Sequence, residues 1–341
     1  MPTPTAPVPT KLPKVALLGT GGTISSIGRG KMDLTNYGDT GNILHAEEIA
    51  AAVPEIFQHA EIVPVRFRNM PAIEITPADW LALNAKLHEV AEATPDLAGI
   101  VVTHGTASLE ETAYFLNLAL KIDVPVVLVG AQRPFSAISS DAQLNLINAV
   151  RVAASPESRG RGVLVVLNDE IQAAREVTKT DTYRLQSFQS PGLGALGYAD
   201  ADRVCFYRTP VRRHTTGTPY DVRGLSSLPR VDVVTSYVGA DGVLIDAVVQ
   251  AGARGIVAAG FAPGCGAPAE TAALRRALDR RVTVVQAARA QAGRVDARDR
   301  VRAAGFVAGD NLPAHKARIL LMMALTRSED PAEIQQAFWD Y

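Results

Sequence analysis

Short apolar runs alternate with longer stretches whose apolar residues recur every third or fourth position. Val15 to Leu18, Ile62 to Phe67, Ile100 to Thr103, Val124 to Val129 and Gly162 to Leu167 read as buried strands. Between them, Thr76-Pro77-Ala78-Asp79 opens a helix with proline in its first turn, and Trp80, Leu81, Leu83, Leu87 and Val90 follow at helical spacing. Leu109 to Leu120 and Asp141 to Ala154 read as two more helices. This alternation predicts an α/β fold, a mainly parallel sheet with helices on both faces, and leaves the strand order open. Arg208 to Leu228, with prolines, glycines, Arg212, Arg213 and His214, reads as a linker. Beyond it, strands are expected at Val231 to Tyr237, Gly255 to Ala259 and Val282 to Ala287, and helices at Val243 to Gln250, Ala269 to Leu278 and Ala314 to Thr326. The expected organisation is a flexible leader (1–13), a larger domain (14–207), the linker (208–228) and a smaller α/β domain (229–341), with no sequence repeat between the halves.

Composition narrows the function. At 341 residues, 47% of them hydrophobic, the chain exceeds one typical core. A formal net charge of -1 with no run of like charge argues against nucleic acid or an anionic membrane as the main partner. No apolar run is long enough to span a bilayer. Cys205 and Cys265 are isolated and the six histidines are scattered, so neither a disulfide framework nor zinc-site spacing is present. The Pro/Thr-rich start has no apolar signal core, so the expected location is cytoplasmic, or periplasmic had a leader preceded it.

The candidate chemistry sits where strands end. After Leu18, Gly19, Gly21 and Gly22 allow a tight turn, and Thr20, Thr23, Ser25 and Ser26 place hydroxyls around it. Such a loop serves as a nucleophile site, as a capped turn or as a phosphate cradle. The dinucleotide fingerprint lacks its third glycine, and there is no Walker lysine. A second junction, Thr103-His104-Gly105-Thr106-Ala107-Ser108, again puts a hydroxyl on a glycine-flanked turn, with Glu110 and Glu111 where the helix dipole favours carboxylates. The polar segment 27–41, which holds Tyr37, reads as a surface loop or a lid, and Lys179 as a solvated lysine in a polar tract.

Taken together, Thr20-Gly21-Gly22-Thr23-Ile24, Thr103-His104-Gly105-Thr106 with Glu110-Glu111-Thr112-Ala113 behind it, and Val177-Thr178-Lys179-Thr180 resemble the bacterial L-asparaginase/glutaminase family. Pro125 to Gly130, Arg133-Pro134, Arg161 to Val166, Asn168-Asp169 and Gly305-Phe306-Val307 extend the likeness over almost the whole chain. The resemblance implies a two-domain fold and a homodimer or homotetramer with active sites between subunits. It implies no metal or organic cofactor, and water as second substrate to a small-molecule amide. Carried over by motif, Thr23 is the nucleophile, Tyr37 the lid residue that helps activate it, Thr106 the second threonine and Lys179 the lysine that polarises it. Backbone N–H groups of the glycine turns would face the oxyanion.

The departures from the family pattern share one job, holding an amino-acid head. The family's aspartate after the second threonine is replaced by Ala107. Its serine–glutamine pair falls at Ala72 and Ile73, followed by Glu74, and the glutamate and asparagine lent by the partner subunit fall near Arg298 and Cys265. With Gly22 and Gly105, these positions form the expected substrate-binding set: Gly22, Ala72, Ile73, Glu74, Gly105, Ala107 and Arg298. An ammonium without its carboxylate loses on the order of 2–5 kcal/mol. The expectation is therefore an amidohydrolase for a substrate without a free α-amino group, such as an N-blocked amide, a succinamate-like amide, or a bulkier amide or lactam. A conventional L-asparaginase/glutaminase and a catalytically degenerate ligand-binding relative are the alternatives.

Overall fold

The computed structural model describes residues 11–341, so most of the leader expected at 1–13 lies outside the described residues. The first part of the chain runs β1 (Lys14–Gly19), α1 (Ala46–Ala52), β2 (Glu61–Val65), α2 (Pro77–Ala93), β3 (Leu97–Thr103), α3 (Leu109–Ala119), β4 (Val126–Val129), α4 (Ala142–Ala154) and β5 (Leu164–Leu167). It continues through β6 (Glu170–Ala173), β7 (Thr178–Lys179), β8 (Phe188–Gln189), β9 (Gly197–Ala199) and β10 (Val204–Phe206). The second part runs β11 (Val231–Thr235), α5 (Val243–Gln250), β12 (Gly255–Gly260), α6 (Pro268–Asp279), β13 (Thr283–Ala288), α7 (Asp299–Ala303), β14 (Val307–Ala308), α8 (Ala314–Ala324) and α9 (Pro331–Asp340).

The large sheet has the order β10-β9-β6-β5-β4-β3-β1-β2. Strands β2, β1, β3, β4 and β5 are parallel, and β6, β9 and β10 extend that edge antiparallel. The reason lies in the residues. On β1, Ala16 and Leu18 enter the core on one face and Val15 and Leu17 that on the other; β3 and β4 divide their side chains the same way. Burial on both faces produces the unbroken apolar runs. The order 2-1-3 reverses direction at β1, and open parallel sheets bind ligands outside the carboxyl ends at such a point.

Segment 168–207 departs from the sequence reading, which treated its opening as a polar tract. Asn168 and Asp169 take left-handed φ values of 52° and 63° and close a two-residue hairpin pairing Leu167 with Glu170. Helices α1, α7 and α9 were also not anticipated.

The smaller sheet, β11-β12-β13-β14, is parallel throughout. Helix α8 covers its inner face and packs on α3 from the other side, so one apolar core runs from the first domain into the second. Helix α3 is consequently buried almost all round. Trp80 on α2 donates its indole N–H to Thr112 Oγ1 at 2.9 Å and stacks on Phe115, which ties α2 to α3. Among the described residues no helix is long and apolar enough to cross a membrane.

Leu17 is fully buried at the centre of β1. Leu17→Ala is expected to cost about 2–5 kcal/mol, read as a lower urea midpoint at unchanged slope.

Candidate active site

The site stands at the carboxyl ends of β1 and β3, where Gly19 pairs with Thr103. Thr20 donates its backbone N–H to Thr103 O at 3.0 Å and its hydroxyl to the same oxygen at 2.9 Å. These two hydrogen bonds to one carbonyl keep the two strand exits level. Gly22 follows at φ 91°, and a Cβ there would lie 2.2 Å from Gly105 Cα. The two turns touch through backbone alone, which only glycine permits at such a φ. Thr23 then opens a single helical turn, Thr23–Ser25.

Tyr37 reaches Thr23 from the 27–42 segment, with Oη and Oγ1 2.9 Å apart. Thr40 fixes this segment by donating its hydroxyl to Ile27 O and Tyr37 O, at 2.8 and 2.9 Å. Gly28 N donates to Ser136 Oγ, and Ile138 N to Lys31 O, each at 2.8 Å. On the β3 side, Lys179 Nζ donates to Thr106 Oγ1 at 2.9 Å. Partial burial lowers the Lys179 pKa, while the charges of Glu110 and Asp181 pull it back up. His104, in the second of these turns, is fully buried and does not line the cavity; burial lowers its pKa to about 4, which favours the neutral ring.

Thr23, Tyr37, Thr106 and Lys179 border one cavity of about 350 Å³. Gly22, Gly105, Ala72, Ile73 and Ala107 also line it. Ala72 lies against Gly105, and its carbonyl accepts the Ser108 hydroxyl at 2.6 Å. Ile73 is 83% exposed at the rim. Glu74, in the same turn, does not line the cavity. Arg298 lies apart on the second domain, where its guanidinium pairs with Asp296. Its neighbour Arg300 reaches Cys265 Sγ at 2.5 Å, so the Arg298 and Cys265 segments do come together there. Lys179 is the single charged residue lining the cavity among the described residues, and no carboxylate lines it.

Sequence models for the asparaginase N-terminal domain and the glutaminase/asparaginase C-terminal domain match residues 14–212 and 230–338. The chain belongs to the asparaginase family. It is 41% identical to L-asparaginase 2 of Bacillus subtilis over 330 residues, covering 97% of this chain and 87% of that protein. To L-asparaginase 2 of Escherichia coli it is 40% identical over 332 residues, covering 97% and 94%. The crystal structure of a probable cytoplasmic L-asparaginase from Campylobacter jejuni superposes with a TM-score of 0.91 at 39% identity, covering 96% of this chain and 99% of that one. Like other members of the asparaginase family, this protein is an amidohydrolase acting on a C–N amide bond.

In sequence, Glu110 stands as a helix-dipole carboxylate within the second motif, with no partner indicated. In this asparaginase-family structure it accepts the backbone N–H of Lys179 at 3.0 Å through Oε1 and contacts His315 Nε2 at 2.8 Å through Oε2. Burial alone would raise its pKa; the His315 bond, the Lys316 charge and the Lys179 N–H outweigh burial and hold it at about 2. His315 and Lys316 went unnoticed, since nothing in their spacing separates them from any polar residue on a helix.

Two outcomes follow from this geometry. Gly22→Ala forces the two turns apart and should cut turnover by about a hundredfold or more, measured as ammonia release from a folded variant. A carboxylate whose folded pKa lies below its ordinary value of 4.5 stabilises the fold above that value, and the gain is lost as pH falls through about 2. The stability difference between the parent and Glu110→Gln should therefore be full above pH 4.5 and vanish on acidification, measured by denaturant unfolding across pH.

Proposed function

We propose that this chain hydrolyses a carboxamide to carboxylate and ammonia through an acyl-enzyme on Thr23, and that its substrate lacks a free α-amino group. The observation that carries the reading is the cavity lining, with one cation and no carboxylate beside the paired hydroxyls. Thr23 Oγ1 attacks the amide carbon while its proton leaves toward Tyr37 Oη, 2.9 Å away. Backbone N–H groups of the glycine turns face the oxyanion. The C–N bond breaks, and the nitrogen takes a proton and departs as ammonia. Water then adds to the acyl carbon, the ester bond to Thr23 breaks, and the hydroxyl regains its proton. Lys179 assists that second half through Thr106. Its lowered pKa raises the share of neutral amine available to accept a proton.

A substrate ammonium finds no counter-charge in this lining, whereas a substrate carboxylate can meet the Lys179 side chain and an apolar tail needs no counter-charge. Ile43, Pro71, Ala72, Ile73 and Ala107 offer apolar surface to such a tail. A conventional L-asparaginase activity is the second reading, favoured by the names of the relatives at about 40% identity.

Ammonia release from L-asparagine, L-glutamine, succinamate and N-acetyl-L-asparagine separates the two. The amides without a free ammonium should exceed asparagine by about tenfold or more in kcat/KM. Asparagine turned over as fast as the best of them would remove the specificity reading and leave the conventional one. Thr23→Ala should abolish release from every amide. Ala107→Asp should shift preference toward asparagine, and no such shift would count against the clamp argument. Release from none of these amides by the parent chain would favour a ligand-binding role instead.

We further infer a homodimer or homotetramer in which the second domain of one copy completes the cavity of another. Supporting this, Tyr237, Val238, Val243 and Leu244 leave an apolar surface exposed on the second domain, and helix α5 buries only Ile245. Light scattering on the purified chain should give a multiple of 36.2 kDa; a monomer at assay concentration would overturn the inference.

A further inference from the structure

Lys316 on α8 has a side chain with no exposed surface. A lysine so placed needs partners for its ammonium. It finds them in the first domain: the carbonyls of Ala174 at 2.8 Å, Arg175 at 3.3 Å and Val177. Those carbonyls belong to the turn that ends two residues before Lys179. The preceding residue, His315, holds Glu110 Oε2 at 2.8 Å, and Lys316 Nζ stands 4.0 Å from the same oxygen. The other Glu110 oxygen takes the Lys179 N–H at 3.0 Å. Two consecutive residues of one helix thus hold the lysine-bearing segment, one through the turn that precedes β7 and one through a buried carboxylate on Lys179 N–H.

We propose that Glu110, His315 and Lys316 are positioning residues for the Lys179 amine, so that a helix of the second domain sets the reactive geometry of the first. The proposal rests on the reading above that Lys179 acts in the reaction. Strand β7 needs such support. It is two residues long and pairs only with the equally short β8. The backbone at Lys179 is therefore held less by sheet hydrogen bonds than by Glu110 and the Lys316-bound turn. Fixing it keeps Nζ at 2.9 Å from Thr106 Oγ1. Glu110 also sets the field at the amine. The titratable groups facing Glu110 are His315 and Lys316 from α8, Glu111 from its own helix, which itself pairs with Arg318 at 3.9 Å, and Lys179 in front. Asp181 is the other acid acting on Lys179.

The test uses the full-length chain, with ammonia release from succinamate and L-asparagine as one readout. The second readout, independent of turnover, is the pH dependence of Lys179 acetylation by acetic anhydride, followed by peptide mass spectrometry. Glu110→Gln should lower kcat by about tenfold to a hundredfold with KM within about threefold. It should also move the Lys179 labelling midpoint to lower pH, because a nearby negative charge is gone. A merely structural role would not move that midpoint. His315→Leu should lower kcat in the same way. His315→Gln, which keeps an N–H donor, should restore it to within about threefold. Parent-like kcat and labelling in Glu110→Gln, or equal kcat in the two His315 variants, would overturn the proposal. Lys179→Met distinguishes this from failure of the reading beneath it: an active Lys179→Met removes the role of the lysine itself. An inactive one beside unaffected Glu110 and His315 variants removes only the tether.

Discussion

Backbone contact between Gly22 and Gly105 is the constraint on which the rest depends. Neither position has room for a single added carbon: a Cβ on Gly22 would overlap the facing backbone, and one on Gly105 would meet Ala72 at 2.6 Å. Because β1 and β3 are parallel neighbours in matched register, both turns leave the sheet at the same height. Thr23 and Thr106 therefore come out around one space, each with its own hydrogen-bonding partner. Tyr37 contacts the first and Lys179 the second. The sheet supplies the level platform, the glycines the close approach, and the loops only the side chains.

Charge decides what that space can hold. On the proposed mechanism the hydroxyls require nothing of a substrate beyond a carbonyl. On the proposed reading, discrimination among amides falls to the rim, where Ala72, Ile73 and Ala107 line the cavity. A small aliphatic side chain offers no hydrogen bond and no counter-charge, and so cannot repay an ammonium for the water it gives up. Glu110, the buried acid that accepts the Lys179 backbone N–H, is not among the residues lining the cavity and is already committed to His315 and that N–H.

Much of the architecture was legible because two-sided burial writes itself as unbroken apolar runs; Val15 to Leu18 and Val126 to Val129 are such runs. Strands β6 to β10 were not, because they are short, antiparallel and mixed in polarity, and the Asn168-Asp169 hairpin passed for an ordinary polar stretch. At the site, Thr23, Thr106 and Lys179 stood out through the order of three motifs, not through periodicity, which treats them as loop residues. Glu110 and His315 could not be joined from sequence. They lie 205 positions apart, and their meeting depends on α8 lying against α3. Local pattern says that α8 is a helix and says nothing about which carboxylate its first turn will find.

The placement of Lys316 has a consequence for the order in which the protein comes into being. Translation runs from the N-terminal side, so both glycine turns and the tyrosine are made before α8, which begins at Ala314. On the tether reading, a nascent first domain would carry its hydroxyls without a seated amine. Hydrolytic competence would then arrive as a late event of synthesis, and trimming the chain to a single-domain catalyst would discard the part that sets the amine.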